Sequence, residues 1–123
     1  MSVIKKIYNT TETESIDMTS FLTAYNITAD DITNAIFVLK DNAYDETYTV
    51  EKTISNNGLS LDSQTNILSI FFESSDYGES KLLPNKVYFI ALAVEYNVGL
   101  GAIRTEVPVK NKLKINPDHI TGW

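Results

Sequence analysis

The stretch NKVYFIALAVEYNVGLGAIRTEVPVKNKLKIN, residues 85–116, holds most of the apolar density of the chain and decides its fold. Its first ten residues can be interpreted as a buried helix or as a buried strand. The segment begins with β-branched and aromatic residues, which favour pleated structure. One alternating face carries the larger apolar side chains, Tyr88, Ile90, Leu92, Val94 and Tyr96. We therefore predict a central strand, with a turn at Gly99-Leu100-Gly101 that returns the chain into a partner strand over 102–109.

The rest of the chain consists of short alternating runs broken by Asn, Gly, Asp and Pro, a pattern typical of β-structure. Strands are expected near residues 3–8, 15–22, 34–41, 47–55, 66–73 and 110–115. Asn57-Gly58 favours a tight hairpin turn, so residues 59–61 are expected to pair back on the strand before them. Thr28 followed by Asp31 predicts a capping box and one helical turn.

These patterns predict an all-β protein: a single antiparallel β-sandwich of about seven or eight strands, immunoglobulin-like in size. Residues 1–22 are expected to form an N-terminal arm with the first strands, residues 23–116 the sandwich, and residues 117–123 a C-terminal tail. The Cys and Trp pattern of antibody domains is absent, so the expected likeness is one of architecture only.

Charge and composition exclude several classes of function. The net charge of −6 argues against a nucleic-acid binder, because such binding depends on clustered Lys and Arg. The chain has no cysteine, so neither a disulfide framework nor a thiolate metal site is expected. No run approaches the ~20 apolar residues of a membrane span, and no signal peptide is evident, so synthesis in the cytoplasm is expected.

The candidate chemical motifs are weak. Gly99-x-Gly101 precedes a predicted strand, so no helix N-terminus is available there to hold a phosphate. His119 is the single histidine and lies close to the chain end, where we expect it to be solvated. Two acidic groups have oxygen ligands that suit Ca²⁺ but lack EF-hand spacing: Asp30 with Asp31, and Asp41 with Asp45 and Glu46. We predict no catalytic residue, no metal ligand and no cofactor, and hence no enzyme.

A basic stripe is the most informative surface feature. Lys110, Lys112 and Lys114 alternate with apolar residues, so three ammonium groups are expected on one face of a strand in an acidic protein. Lysines on an edge strand can serve to prevent aggregation between sheets. The same lysines can instead dock onto an acidic partner.

Several segments together carry a family resemblance. In chain order they are F-V-L-K-D (37–41), V-E-K-T-I (50–54), N-G (57–58), D-x-x-x-N (62–66), L-x-P-N-K-V-Y (82–88) and G-x-x-R-T (101–105). This order resembles the small β-sandwich modules of tailed-phage virions, similar to the N-terminal modules of upper baseplate proteins and to standalone phage accessory proteins. The similarity spans roughly residues 30–116 and consists of turn spacings and core positions.

The resemblance implies a non-enzymatic structural component of a bacteriophage virion, a homo-oligomer or present in several copies, whose partners are capsid, neck or tail subunits. A head decoration or auxiliary protein, or a neck or collar protein, is the first expectation. A tail or baseplate adaptor and a carbohydrate-binding host-adhesion module are the alternatives. Contacts are expected through sheet edges and terminal arms, with the interface residues Lys110, Lys112, Lys114, Arg104, Trp123, Ile4, Ile7 and Tyr8.

Overall fold

Nine strands, one short α-helix and two 3₁₀ helices make up the regular structure that is described. A computed structural model describes residues 3–7, 11, 13–42, 44, 47–78, 80–98, 101–107 and 112–116. The strands are β1 (Val3–Ile7), β2 (Glu14–Asp17), β3 (Ile32–Lys40), β4 (Val50–Thr53), β5 (Leu59–Leu61), β6 (Ile67–Ile70), β7 (Lys86–Val98), β8 (Gly101–Glu106) and β9 (Lys112–Asn116). The helix α1 spans Thr19–Tyr25, and two 3₁₀ helices span Ala29–Asp31 and Ser74–Asp76.

The strands form two sheets. The larger sheet has the order β1-β9-β7-β3-β4, and β8 also pairs with β7; the smaller sheet has the order β2-β6-β5. All described pairs of strands are antiparallel except β1 with β9, which is parallel. A single cluster of buried residues takes members from both sheets. The prediction of an all-β sandwich is confirmed.

The order of the strands within each sheet is that of a variable-type immunoglobulin sandwich. β9, β7, β3 and β4 take the places of strands G, F, C and C′, and β2, β6 and β5 take those of strands B, E and D. Segment 1–22 contributes one strand to each sheet, β1 to the larger and β2 to the smaller.

β7 is the central strand that the sequence predicts. Its alternating residues Tyr88, Ile90, Leu92, Val94 and Tyr96 are all buried. Burying a side chain of the Val, Leu or Phe class stabilises a fold by roughly 1.5–3 kcal/mol, so this one face supplies a large share of the core. β8 follows as the returning arm of a hairpin, with Val98 in register with Gly101. The helical interpretation of this stretch is therefore excluded.

The predicted hairpin between β4 and β5 is wrong. Asn57 does adopt a positive φ of 65°, as a tight turn requires, but β5 pairs with β6 in the opposite sheet. The carbonyl of Gly58 accepts the Phe71 N–H at 3.0 Å, so the backbone joins the smaller sheet directly after the turn. The turn connects the two sheets and does not close a hairpin in one of them.

Two local structures lie between β2 and β3. The capping box of Thr28 and Asp31 is present, and the helical turn that it starts is the 3₁₀ helix Ala29–Asp31, as the sequence predicts. The preceding region was expected to continue as a strand to residue 22, whereas it forms α1. That helix places Phe21 and Leu22 in the core. Within the described part of the chain, no helix has the length and apolar character needed to cross a membrane.

Candidate functional site

A basic patch lies on the outer face of the larger sheet, the face turned away from the smaller sheet. Lys40 on β3 is in register with Phe89 on β7, and Phe89 is in register with Lys112 on β9. The Lys112 ammonium lies 5.4 Å from the centroid of the Phe89 ring. Val87, 39% exposed, and Lys114 form the neighbouring cross-strand pair. We refer to Lys40, Val87, Phe89, Lys112 and Lys114 as the outer basic patch.

Small and β-branched side chains continue this face beyond the patch. Ile36 lies opposite Ala93, and Val38 lies opposite Ala91. They line a shallow groove of about 290 Å³ that also touches Lys40, Tyr48 and Arg104. Tyr48 is 47% exposed, and the Lys40 ammonium lies 5.4 Å from the centroid of its ring. The outer face therefore has a basic end and an apolar middle.

Arg104 lies at the other end of the same face. Its Nη2 and Nε donate to one carboxylate oxygen of Glu95, at 2.7 Å and 3.2 Å, and its side chain is 61% exposed. Glu95 is six residues along β7 from Phe89, which corresponds to roughly 20 Å of strand. The structure thus places Arg104, Lys112 and Lys114 on one face but not in one cluster.

Of the other predicted interface residues, two lie in β1 and three are outside the described residues. Ile4 and Ile7 belong to β1, where their backbones are in register with Leu113 and Asn116 of β9. Tyr8, Lys110 and Trp123 lie outside the described residues, as do His119, Asp45, Glu46 and Gly99. The N-terminal strand is thus part of the larger sheet within its own chain.

Two described members of the acidic groups, Asp31 and Asp41, have structural partners. Asp31 closes the capping box by accepting the Thr28 N–H at 2.9 Å. Asp41 forms an ion pair with Lys86, with 2.8 Å between Asp41 Oδ1 and Lys86 Nζ. No cluster of three or more potential metal ligands occurs among the residues that the structure describes.

Two buried lysines form a site that the sequence analysis missed. Lys6 and Lys52 are 2% and 7% exposed, and their ammonium groups lie 4.3 Å and 6.0 Å from the ring centroid of Phe72. Each has a carboxylate neighbour, Glu14 at 3.6 Å and Asp76 at 2.7 Å respectively. Lys52 lies two residues after the buried Val50 and therefore on the same face of β4. That spacing is the sequence signal that could have predicted the burial of Lys52.

β8 has an open edge. The Val107 N–H donates to the Leu92 carbonyl at 2.8 Å, and hydrogen-bonded pairs in an antiparallel ladder recur at every second residue. The backbone amides of Ala102 and Arg104 therefore point away from β7. None of the described strands pairs with that side of β8. A strand from another molecule could add there.

Comparisons with protein-family models, with curated proteins and with solved structures found no match to this chain.

Proposed function

We propose that the protein is a non-enzymatic structural component of a bacteriophage virion that contacts neighbouring subunits through a sheet edge. A head decoration or auxiliary role, or a neck or collar role, fits this proposal best. The family resemblance of residues 30–116 suggests the setting, and the open edge of β8 is the observation that carries the mode of contact.

The side chains beside this edge support its use in strand addition. Ile103, in register with the buried Tyr96, is itself 43% exposed because the described strands leave it uncovered. An added strand would bond the outward amides of Ala102 and Arg104 and cover Ile103. Main-chain hydrogen bonds would then give affinity, and the apolar side chain would give register.

A proline substitution tests the proposal. Ala102→Pro removes an N–H that faces the open edge and leaves the described bonds to β7 in place, and proline is tolerated on an edge strand in that orientation. We expect the variant to fold and to be depleted from purified phage particles assembled with it.

Glu51→Pro is the matched control on another edge. The Ile54 N–H donates to the Ala35 carbonyl at 3.2 Å, so the Glu51 amide points away from β3. This variant should enter particles at the wild-type level. Absence of the wild-type protein from particles would overturn the virion role, and equal incorporation of the two proline variants would overturn the role of the β8 edge.

A further inference from the structure

We propose that the outer basic patch docks an acidic protein surface, one with carboxylates around an apolar centre. This inference deepens the proposed function and rests on its premise that the chain acts through surface contacts. It names a second contact region, distinct from the β8 edge, and the chemistry of the partner that fits it.

The patch gathers three like charges on one face of the larger sheet. Lys40 and Lys112 flank Phe89 in one cross-strand row, and Lys114 follows on the next outward position of β9. Lys40 and Lys112 are two strand spacings apart, roughly 10 Å, which is about one Debye length at 0.1 M salt, so their repulsion is only partly screened. Lys112 and Lys114 make no ion pair within the described part of the chain, so its own carboxylates do not offset their charge there.

Protection of a sheet edge does not explain these lysines. Lysines discourage aggregation when they lie on an edge strand. β9 is an interior strand, bonded to β1 on one side and to β7 on the other. Lys112 and Lys114 therefore project from an interior strand of the larger sheet, on its outer face, and a partner that binds this face would contact them.

The residues between the lysines favour a protein partner. Val87 is 39% exposed, and Phe89 is half-buried beneath Lys112. Protein interfaces commonly combine an apolar centre with a polar rim. A nucleic-acid backbone would leave the apolar centre uncovered, and its affinity would need more basic groups than a chain of net charge −6 gathers on this face. A second copy meeting the patch with the same patch would bring lysine against lysine.

A titration of the full chain, followed by amide and methyl NMR, tests the inference. The probe is a synthetic peptide of alternating Glu and Leu, and the matched control peptide alternates Gln and Leu. We expect shift changes at Val87, Phe89 and Lys112 with the Glu peptide, weaker binding as salt is added, and at least about tenfold weaker binding of the Gln peptide.

Two charge-reversal variants give the matched comparison. Lys114→Glu reverses an exposed lysine inside the patch, and Lys81→Glu reverses an exposed lysine outside it. We expect Lys114→Glu to weaken binding of the Glu peptide by roughly tenfold and Lys81→Glu to leave it unchanged. Both variants should keep the wild-type amide spectrum away from the substituted position.

Four outcomes would overturn the inference. They are shift changes that lie elsewhere, equal binding of the two peptides, tighter binding of a short DNA duplex at the same patch, and self-association that Lys114→Glu abolishes. Each is distinguishable from failure of the proposed function, because peptide binding is measured on the isolated chain whereas the virion role is measured by incorporation into particles.

Discussion

The ammonium group of Lys52 lies 2.7 Å from a carboxylate oxygen of Asp76, although the two side chains are only 9% and 13% exposed. The same oxygen accepts the Glu73 N–H at 2.7 Å. The pair joins β4, at the margin of the larger sheet, to the 3₁₀ helix Ser74–Asp76 that follows the smaller sheet. It is therefore a polar link between the two layers at a place where the core would otherwise be apolar.

Removing the carboxylate should cost more than removing the lysine. Asp76→Ala leaves the buried Lys52 charge without this partner and frees the Glu73 N–H, so we expect the free energy of unfolding to fall by roughly 3 kcal/mol. Lys52→Met keeps the hydrogen bond between Asp76 and the Glu73 amide and fills most of the space, so its loss should be smaller. Urea unfolding of both variants measures the difference. Equal losses would contradict the larger contribution assigned to the Asp76 carboxylate.

The hydroxyl of Tyr88 is the second polar group on which the core depends. It accepts the Leu83 N–H at 2.8 Å and donates to the Lys81 carbonyl at 3.1 Å. Tyr88→Phe leaves both backbone groups without these bonds, so we expect a loss of roughly 1–3 kcal/mol in urea unfolding.

Tyr96→Phe is the control for this effect. The Tyr96 hydroxyl has a 3.4 Å contact with the Thr105 hydroxyl on an adjacent strand, and its loss should cost less than that of the Tyr88 hydroxyl. A larger loss for Tyr96→Phe would contradict the assignment of Tyr88 as the anchor of the loop before β7.

Alternation along the chain was sufficient to predict β7 and β3 because the residues that face the core recur at every second position in both strands. It did not predict that β5 joins the smaller sheet. A turn motif such as Asn57-Gly58 indicates that the chain reverses direction, but it does not indicate which strand the next segment pairs with. The helix α1 was missed because TSFLTAY has few strong helix formers. Its end signals were present: Asp17 accepts the Thr19 N–H, and Asn26 adopts a left-handed conformation with φ 54°.

The candidate site was predictable only within a single strand. Period-two spacing places Lys112 and Lys114 on one face. It does not reveal Lys40, because the cross-strand row of Lys40, Phe89 and Lys112 depends on β3, β7 and β9 being neighbours in the sheet. The interior position of β9, which removes the edge-protection explanation, likewise comes from the pairing with β1.

The pKa of Asp17 provides a direct test of the start of α1. Hydrogen bonds from the Thr19 side chain, and then from its backbone N–H at 2.9 Å, lower the pKa of Asp17 below its ordinary value. A folded-state pKa below the unfolded value stabilises the fold above the unfolded pKa, and this contribution is lost as pH falls through the folded pKa.

Thr19→Ala should therefore raise the Asp17 pKa towards its ordinary value and reduce the advantage that the fold gains from this ionisation. Thr23→Ala, at an exposed position of the same helix, should leave it unchanged. Carboxyl-detected NMR titration of the two variants and the wild type checks this. The same Asp17 midpoint in Thr19→Ala and wild type would contradict the assigned cause.

Gly58 allows the close approach that turns the chain from β4 towards the smaller sheet. A Cβ added there would lie 2.8 Å from Asn56 Oδ1 and 3.0 Å from Lys52 Cβ. Lys52 is held by its ion pair with Asp76, so its stem cannot move away freely, and we expect Gly58→Ala to lower the free energy of unfolding by about 1–3 kcal/mol.

Gly101→Ala is the control, because a Cβ at Gly101 meets nothing within 4 Å. Its stability should be unchanged or raised by up to about 1 kcal/mol, since alanine loses less backbone entropy than glycine on folding. Urea unfolding of both variants measures the contrast, and an equal effect at the two glycines would mean that the contact between Gly58 and Lys52 relaxes without penalty.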